Sequence, residues 1–195
     1  CSSCSRWLVW IGSSCSPEAS AQCRAAEAVG ASGWPEALRS ASCQRDAALS
    51  STLQQFQQSF DARRGGFGDA PKFPRPSELL FLLREHARVR LREDATAAQA
   101  SAAALAMVVQ TLRAMALGGM RDHIGGGFHR YSVDGNWRVP HFEKMLYDQA
   151  QIALNCLEAR QATGDERYGW MARDILGYAL RDLAQPEGGF YTAED

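Results

Sequence analysis

The sequence is short of several things, and each shortage closes a route. It lacks a long apolar run near its start. WLVWIG, residues 7–12, is the strongest there and is far too short to cross a bilayer. It has no initiator Met and no signal-peptide pattern, which suits a soluble chain with a cytoplasmic setting. It has no excess of either charge: 21 Lys and Arg stand against 22 Asp and Glu, a net charge of −1. General attraction to nucleic acid or to an anionic membrane is therefore not expected. Cysteine is almost missing beyond residue 43. Cys1, Cys4, Cys15, Cys23 and Cys43 lie up to that point and Cys156 alone follows it. A disulfide scaffold needs its cysteines spread through the fold, and a zinc site needs two close pairs where only Cys1 and Cys4 form one. Cys1-Ser2-Ser3-Cys4 has the redox C-x-x-C spacing, but no strand precedes it and Ser and Gly follow. No metal site and no cofactor are expected, and the oligomeric state is open.

What is present is ordinary for one globular domain or a piece of a larger one: 195 residues, 46% hydrophobic and 22% charged. Residues 1–35 are rich in Ser, Cys, Ala and Gly, show no period and are expected to be poorly ordered. Residues 36–195 are expected to fold. Leu49, Leu53, Phe56 and Phe60 mark one helix face. A second helix opens at Pro76 with Leu79, Leu80, Leu83 and Ala87. A third starts near residue 97, carries Leu105, Val108, Val109, Leu112 and Ala116, and stops at Gly118-Gly119. A fourth follows Pro140 with Leu146, Ala150, Ala153, Leu154 and Leu157 and ends near Gly164. A fifth follows Asp165, an N-cap, with Tyr168, Met171, Ala172, Ile175, Leu176, Ala179 and Leu183.

The connections repeat. Gly65-Gly66-Phe67, Gly126-Gly127-Phe128 and Gly188-Gly189-Phe190 set their Phe residues 61 and 62 positions apart, with two helices between successive loops. Such a period predicts stacked helix pairs closed by Gly-Gly-Phe loops. It suits an all-α fold, a partial α/α toroid: five helices are present where a closed six-pair ring needs about twelve.

The connection from Gly118 to His141 is long for a helical array. HRYSV, Asp134-Gly135 and NWRV read as a short β-hairpin with a two-residue turn. That register pairs Val133 with Asn136 and Tyr131 with Arg138. It puts His129, Tyr131 and Arg138 on one face and Arg130, Trp137 and Val139 on the other. Met145, Leu146 and Tyr147 are consecutive and large, so more than one side of the fourth helix is expected to be buried. On its wheel His141, Lys144 and Asp148 lie opposite the Leu146–Ala150–Leu157 stripe, with Glu143 and Tyr147 a step round. His129, His141, Glu143 and Asp148 are candidates for acid–base work. Arg130, Tyr131, Trp137, Arg138, Lys144 and Tyr147 are candidates for binding a hydroxyl-rich or anionic ligand. The plainer alternatives are that single histidines serve structure, that Lys144 and Asp148 pair at i, i+4 on a surface, and that Trp137 packs.

GGFGDAPKFPRP, GGGFHRYSVDGNWRVPHFEKMLYDQAQ and PEGGFYTAED resemble the YyaL and spermatogenesis-associated protein family, from about Leu49 to Asp195. The resemblance implies an N-terminal thioredoxin-like domain joined to an α/α toroid similar to the six-hairpin glycosidases and the N-acylglucosamine 2-epimerases. Residues 1–45 do not resemble that N-terminal domain, and about half of the toroid is represented. Two functions follow: a carbohydrate-active or carbohydrate-binding toroid, or a non-catalytic scaffold of a redox-related protein in which the same residues lock loops to helices.

Overall fold

The computed structural model describes residues 36–92 and 94–195, with side chains from Ala41 onward except residue 93. The expected disorder of residues 1–35 lies outside the described residues. The chain divides between Ser51 and Thr52, within the first helix below, and residues Thr52–Asp195 form the unit that carries the core, the sheets and the loops.

Among the described residues five α-helices dominate: α1 Glu36–Ser59, α2 Pro76–Val89, α3 Ala95–Leu117, α4 Leu146–Thr163 and α5 Glu166–Tyr178, which runs on into a π-helical turn at Ala179–Leu183. Their ends follow local chemistry. Pro76 sits in the first turn of α2, where a missing N–H costs nothing. The Asp94 carboxylate accepts from the Ala97 amide at 2.6 Å and caps α3. Gly164, at φ 72°, closes α4, and Asp165 then caps α5 by accepting from the Arg167 amide.

The helices stack as pairs. α2 packs against α3, α4 packs against α5, and α2 and α4 lie side by side. The core between them holds Leu79, Leu82, Val108, Leu112, Met115, Ile152, Cys156 and Ile175, each 1% exposed or less. Length and hydropathy alone would let α3 span a membrane. Its Ala104, Met107, Val108, Thr111, Leu112 and Met115 are instead buried, as in the core helix of a helical stack.

Among the described residues two minimal sheets join the loops. β1 (Tyr131–Ser132) pairs with β2 (Pro140–His141), and β3 (Lys144–Met145) pairs with β4 (Ala193–Glu194), both antiparallel. The expected hairpin is present, but its register differs. Tyr131 faces His141, Ser132 faces Pro140, and the Val133 amide donates to the Val139 carbonyl at 2.8 Å. The connection is thus five residues, 134–138, rather than the two-residue Asp134-Gly135 turn. The Asp134 carboxylate holds it by accepting from the amides of Asn136, Arg138 and Val139. Trp137 adopts φ 62° inside this loop and is 1% exposed. Burying the indole outweighs both the turn preference and the left-handed strain.

α4 also departs from expectation. It begins at Leu146, so His141 and Lys144 lie before it, on strands. Its buried face is Asp148, Gln149, Ile152, Ala153, Asn155, Cys156 and Ala159. Ala150 is exposed, Leu154 and Leu157 are about 40% exposed, and Tyr147 is 43% exposed. Of the stripe read as core, Ala153 is buried, Leu146 is half-buried, and Ala150, Leu154 and Leu157 face outward, while three polar side chains face inward.

Candidate functional site

The Gly-Gly-Phe loops share one backbone design. In the first, the Gly65 amide donates to the Asp61 carbonyl at 2.8 Å and the Asp61 amide to the Gly66 carbonyl at 2.9 Å. In the second, Gly126 and Asp122 repeat this at 3.1 Å, and Asp122 and Gly127 at 3.0 Å. Both glycines of each loop have positive φ. Each loop also carries a carboxylate clasp. Asp61 Oδ1 accepts from the amides of Arg63 and Arg64, and its Oδ2 accepts from Lys72 Nζ at 2.8 Å. Asp122 Oδ1 accepts from Ile124 and Gly125, and its Oδ2 accepts from Lys144 Nζ at 2.9 Å. An aromatic lid from further along the chain closes each clasp. Lys72 lies 5.4 Å from the Trp137 ring, and Lys144 lies 4.2 Å from the Tyr178 ring.

Lys72 and Lys144 are the only lysines in the sequence. A compact ammonium on a flexible stem reaches a carboxylate and a carbonyl inside a closed loop, where a planar guanidinium would need more room. Burial by itself raises the Asp61 and Asp122 carboxyls. The lysine and the loop amides outweigh it and hold both below the ordinary carboxylate range. Lys144, a ligand-binding candidate by sequence, is therefore placed in a clasp that recurs where no ligand chemistry is gathered.

The second loop adds to this frame. In the first, Phe67 is followed within five residues by Lys72. In the second, Phe128 is followed by His129, Arg130 and Tyr131 and by the hairpin before Lys144 is reached. The additions gather. Phe73 and Tyr131 stack at 4.8 Å, and Tyr131 and His141 stack at 4.8 Å, so three rings form a column. The Arg130 guanidinium lies over Phe73 and Tyr147 at 5.2 and 5.3 Å and donates to Asp148 Oδ2 at 3.0 Å. Burial raises the Asp148 carboxyl and neighbouring Glu143 adds to this, although Arg130 pulls the other way. His141 Nδ1 stands 4.0 Å from Glu143 Oε2, with the two side chains 45% and 35% exposed.

His129 is 7% exposed. Its Nδ1 donates to the Phe142 carbonyl at 3.0 Å, which leaves Nε2 as the basic nitrogen. Burial lowers its pKa despite that carbonyl, and Lys144 acts in the same direction. Of the ten sequence candidates, Arg130, Tyr131, His141, Glu143, Tyr147 and Asp148 come together. Trp137 is placed in the core, where Nε1 donates to the carbonyls of Arg64 and Gly65. Arg138 lies in the hairpin tip, exposed, beside a shallow groove of about 500 Å³ that His123 and Asn136 also line. Phe73 was missed because it lies 58 residues from Tyr131, outside the stretch that drew attention. Asp61, Lys72 and Asp122 were also missed. The readable signal was an Asp four residues before each of the first two Gly-Gly pairs, together with the chain's two lysines. Among the described residues no group of three or more His, Cys, Asp or Glu could hold a metal ion.

Helix pairs joined through these loops define part of an α/α toroid, the fold of sugar epimerases. Cellobiose 2-epimerase from Spirochaeta thermophila matches with a TM-score of 0.61 and 20% identity, over 82% of this chain and 41% of that one. A sugar epimerase from a ruminal bacterium matches with a TM-score of 0.60 and 14% identity, over 76% and 40%. At such identities the likeness is one of fold. No family model matches the chain. In sequence, the chain is a homologue of spermatogenesis-associated protein 20. It is 51% identical to the Homo sapiens protein over 143 residues and 48% identical to the Mus musculus protein. An uncharacterized protein of Caenorhabditis elegans is 43% identical over 141 residues. The match covers 73% of this chain and 17% of the length of the human and mouse relatives.

Proposed function

We propose that the open side of the second loop binds a carbohydrate or similar polyhydroxylated small molecule. One observation carries this reading: the second loop has the same clasp as the first, and what it adds is a ring column beside an Arg–carboxylate pair. The exposed His141 ring at the end of the column offers a face to C–H surfaces, with Tyr131 stacked behind it, and a guanidinium with spare N–H groups donates to hydroxyls. Tyr131, His141, Arg130 and Tyr147 are the binding groups. His141 and Glu143 are the exposed pair able to move a proton, and buried Asp148 orients Arg130. The epimerase-like fold supports the ligand class. A thioredoxin-like domain elsewhere in the whole protein belongs to the same proposal and rests on the sequence resemblance; a cytoplasmic setting belongs to it as an expectation from the lack of a signal-peptide pattern.

The second reading is a scaffold. His129, Trp137 and Lys144 favour it, since each is spent on a contact within the fold. Calorimetric titration of the chain with cellobiose and mannose separates the two. Saturable heat that falls at least about tenfold in affinity in Tyr131→Ala and His141→Ala, at unchanged melting temperature, is the expected result. Absence of binding to either sugar rejects the carbohydrate reading and leaves the scaffold.

A further inference from the structure

We propose that the binding face of the second loop continues along the hairpin onto Val133 and Val139, and that this stretch takes the aryl or short alkyl aglycone of a glycoside. The proposal rests on the carbohydrate reading and names the class of ligand: a hydroxyl-rich ring that carries an apolar substituent. The observed register assembles this face. Tyr131 pairs with His141, and their rings stack at 4.8 Å. One pair further out, the Val133 amide donates to the Val139 carbonyl at 2.8 Å. Side chains alternate along each strand, so Val133 and Val139 rise on the side of the Tyr131–His141 stack. Ser132 and Pro140, between the two pairs, point to the other side, and Ser132 is fully buried there. The two valines are 51% and 55% exposed, and neither belongs to the core. A two-residue turn would have placed Val139 with Arg130 and Trp137 instead. Burial of the Trp137 indole, which sets the five-residue connection, therefore also brings Val139 beside the rings.

Single exposed valines are ordinary on a protein surface. These two form a cross-strand pair that prolongs an aromatic column, on a loop whose counterpart in the first helix pair has no hairpin. The pair lies at neither open end of the helix stack. The hairpin tip rests on the first loop: Lys72 Nζ donates to the Gly135 carbonyl at 3.3 Å, and Arg64 and Asp69 stand within 4 Å of a Cβ built on Gly135. Beyond its other strand comes β3, which the third loop already pairs through β4. The chemistry of the stretch selects its occupant. The only carboxylate from Tyr131 to His141 is Asp134, and both of its oxygens accept from amides of Asn136, Arg138 and Val139. A second sugar unit would turn hydroxyls toward two isopropyl groups, whereas an apolar substituent gains by leaving water there. Asp134 at the tip and Trp137 beneath hold the hairpin in place, so little ordering opposes binding.

The test is calorimetric titration of the chain with methyl and phenyl β-D-glucoside and with the corresponding pair of mannosides. For the sugar that binds, the phenyl glycoside is expected to bind at least about fivefold tighter than the methyl glycoside. The double variant Val133→Thr, Val139→Thr keeps both β-branched shapes but adds hydroxyls that an aglycone would have to desolvate. It should cut the phenyl advantage to below about twofold and leave the affinity for the methyl glycoside unchanged. In the isotope-labelled chain, the methyl signals of Val133 and Val139 should shift with the phenyl glycoside and stay still with the methyl glycoside. Equal affinity for the two glycosides, or a phenyl advantage that the double variant retains, overturns this proposal and leaves the carbohydrate reading standing. Binding of none of the four compounds overturns both.

Discussion

The first and second Gly-Gly-Phe loops form a controlled comparison. Both fold a carboxylate over loop amides, both bring in a lysine, and both are covered by a ring from a later element. What they share is what a helix pair needs in order to turn back on itself. What only the second has (His129, Arg130, Tyr131 and the hairpin) is free to answer to another requirement. The difference separates frame from function without an alignment, and it moves Lys144 from the second group to the first.

The comparison breaks most visibly at the lysines. Lys72→Met or Lys144→Met leaves a partly buried carboxylate, 19% and 25% exposed, without its ammonium and should cost about 3 kcal/mol in chemical denaturation, the low end for a broken buried pair. The double variant Asp61→Asn, Lys72→Met should recover part of that loss, because no lone charge remains. The glycines come next. Gly66→Ala and Gly127→Ala force a Cβ into a ring at positive φ and should cost about 2–4 kcal/mol. Gly189→Ala, with open space around it, should cost about 1–2 kcal/mol. Equal costs at Gly127 and Gly189 would remove the lid from the account.

Acid should erode the frame by a smaller amount. Asp61 and Asp122 have folded pKa values below the ordinary 3.8. Their contribution is complete above that value and is lost as pH falls through the lowered folded pKa. His129 acts earlier. Its depressed folded pKa means that the unfolded chain takes up a proton first, so stability should begin to fall as pH drops through about 6.5. His129→Asn should abolish that first decline in a melting-temperature series and leave the acid limb in place. The smallest effect belongs to the open side: His141→Ala should shift stability by less than about 0.5 kcal/mol, since that ring is 45% exposed.

Most of the frame was legible in sequence because it is written in local terms. Pro76, Asp165 and Gly164 punctuate helices by mechanisms that need no tertiary partner, and the Gly-Gly-Phe triplets recur at a fixed period. The hairpin register was not legible. Asp134-Gly135 signals a tight turn, and only the core space beneath Gly66 decides that Trp137 should be buried instead. α4 was misread for a related reason: Asp148, Gln149 and Asn155 look like a surface until Arg130, the Phe128 backbone and the Pro76 carbonyl supply their partners. Of the site, the local cluster was visible, while Phe73 became part of it only through the fold.

The lids impose an order in time. Trp137 follows Gly65 by 72 residues. During translation at roughly 5–20 residues per second, the first loop stays uncovered for roughly 4–14 s after it is made. Throughout that interval Lys72 and Asp61 remain wet and Phe67 has an incomplete seat. The chain is therefore vulnerable in a moving window that advances one helix pair behind the ribosome. A slow-codon cluster just before Trp137 should lengthen the window and lower soluble yield, whereas one placed just after it should not.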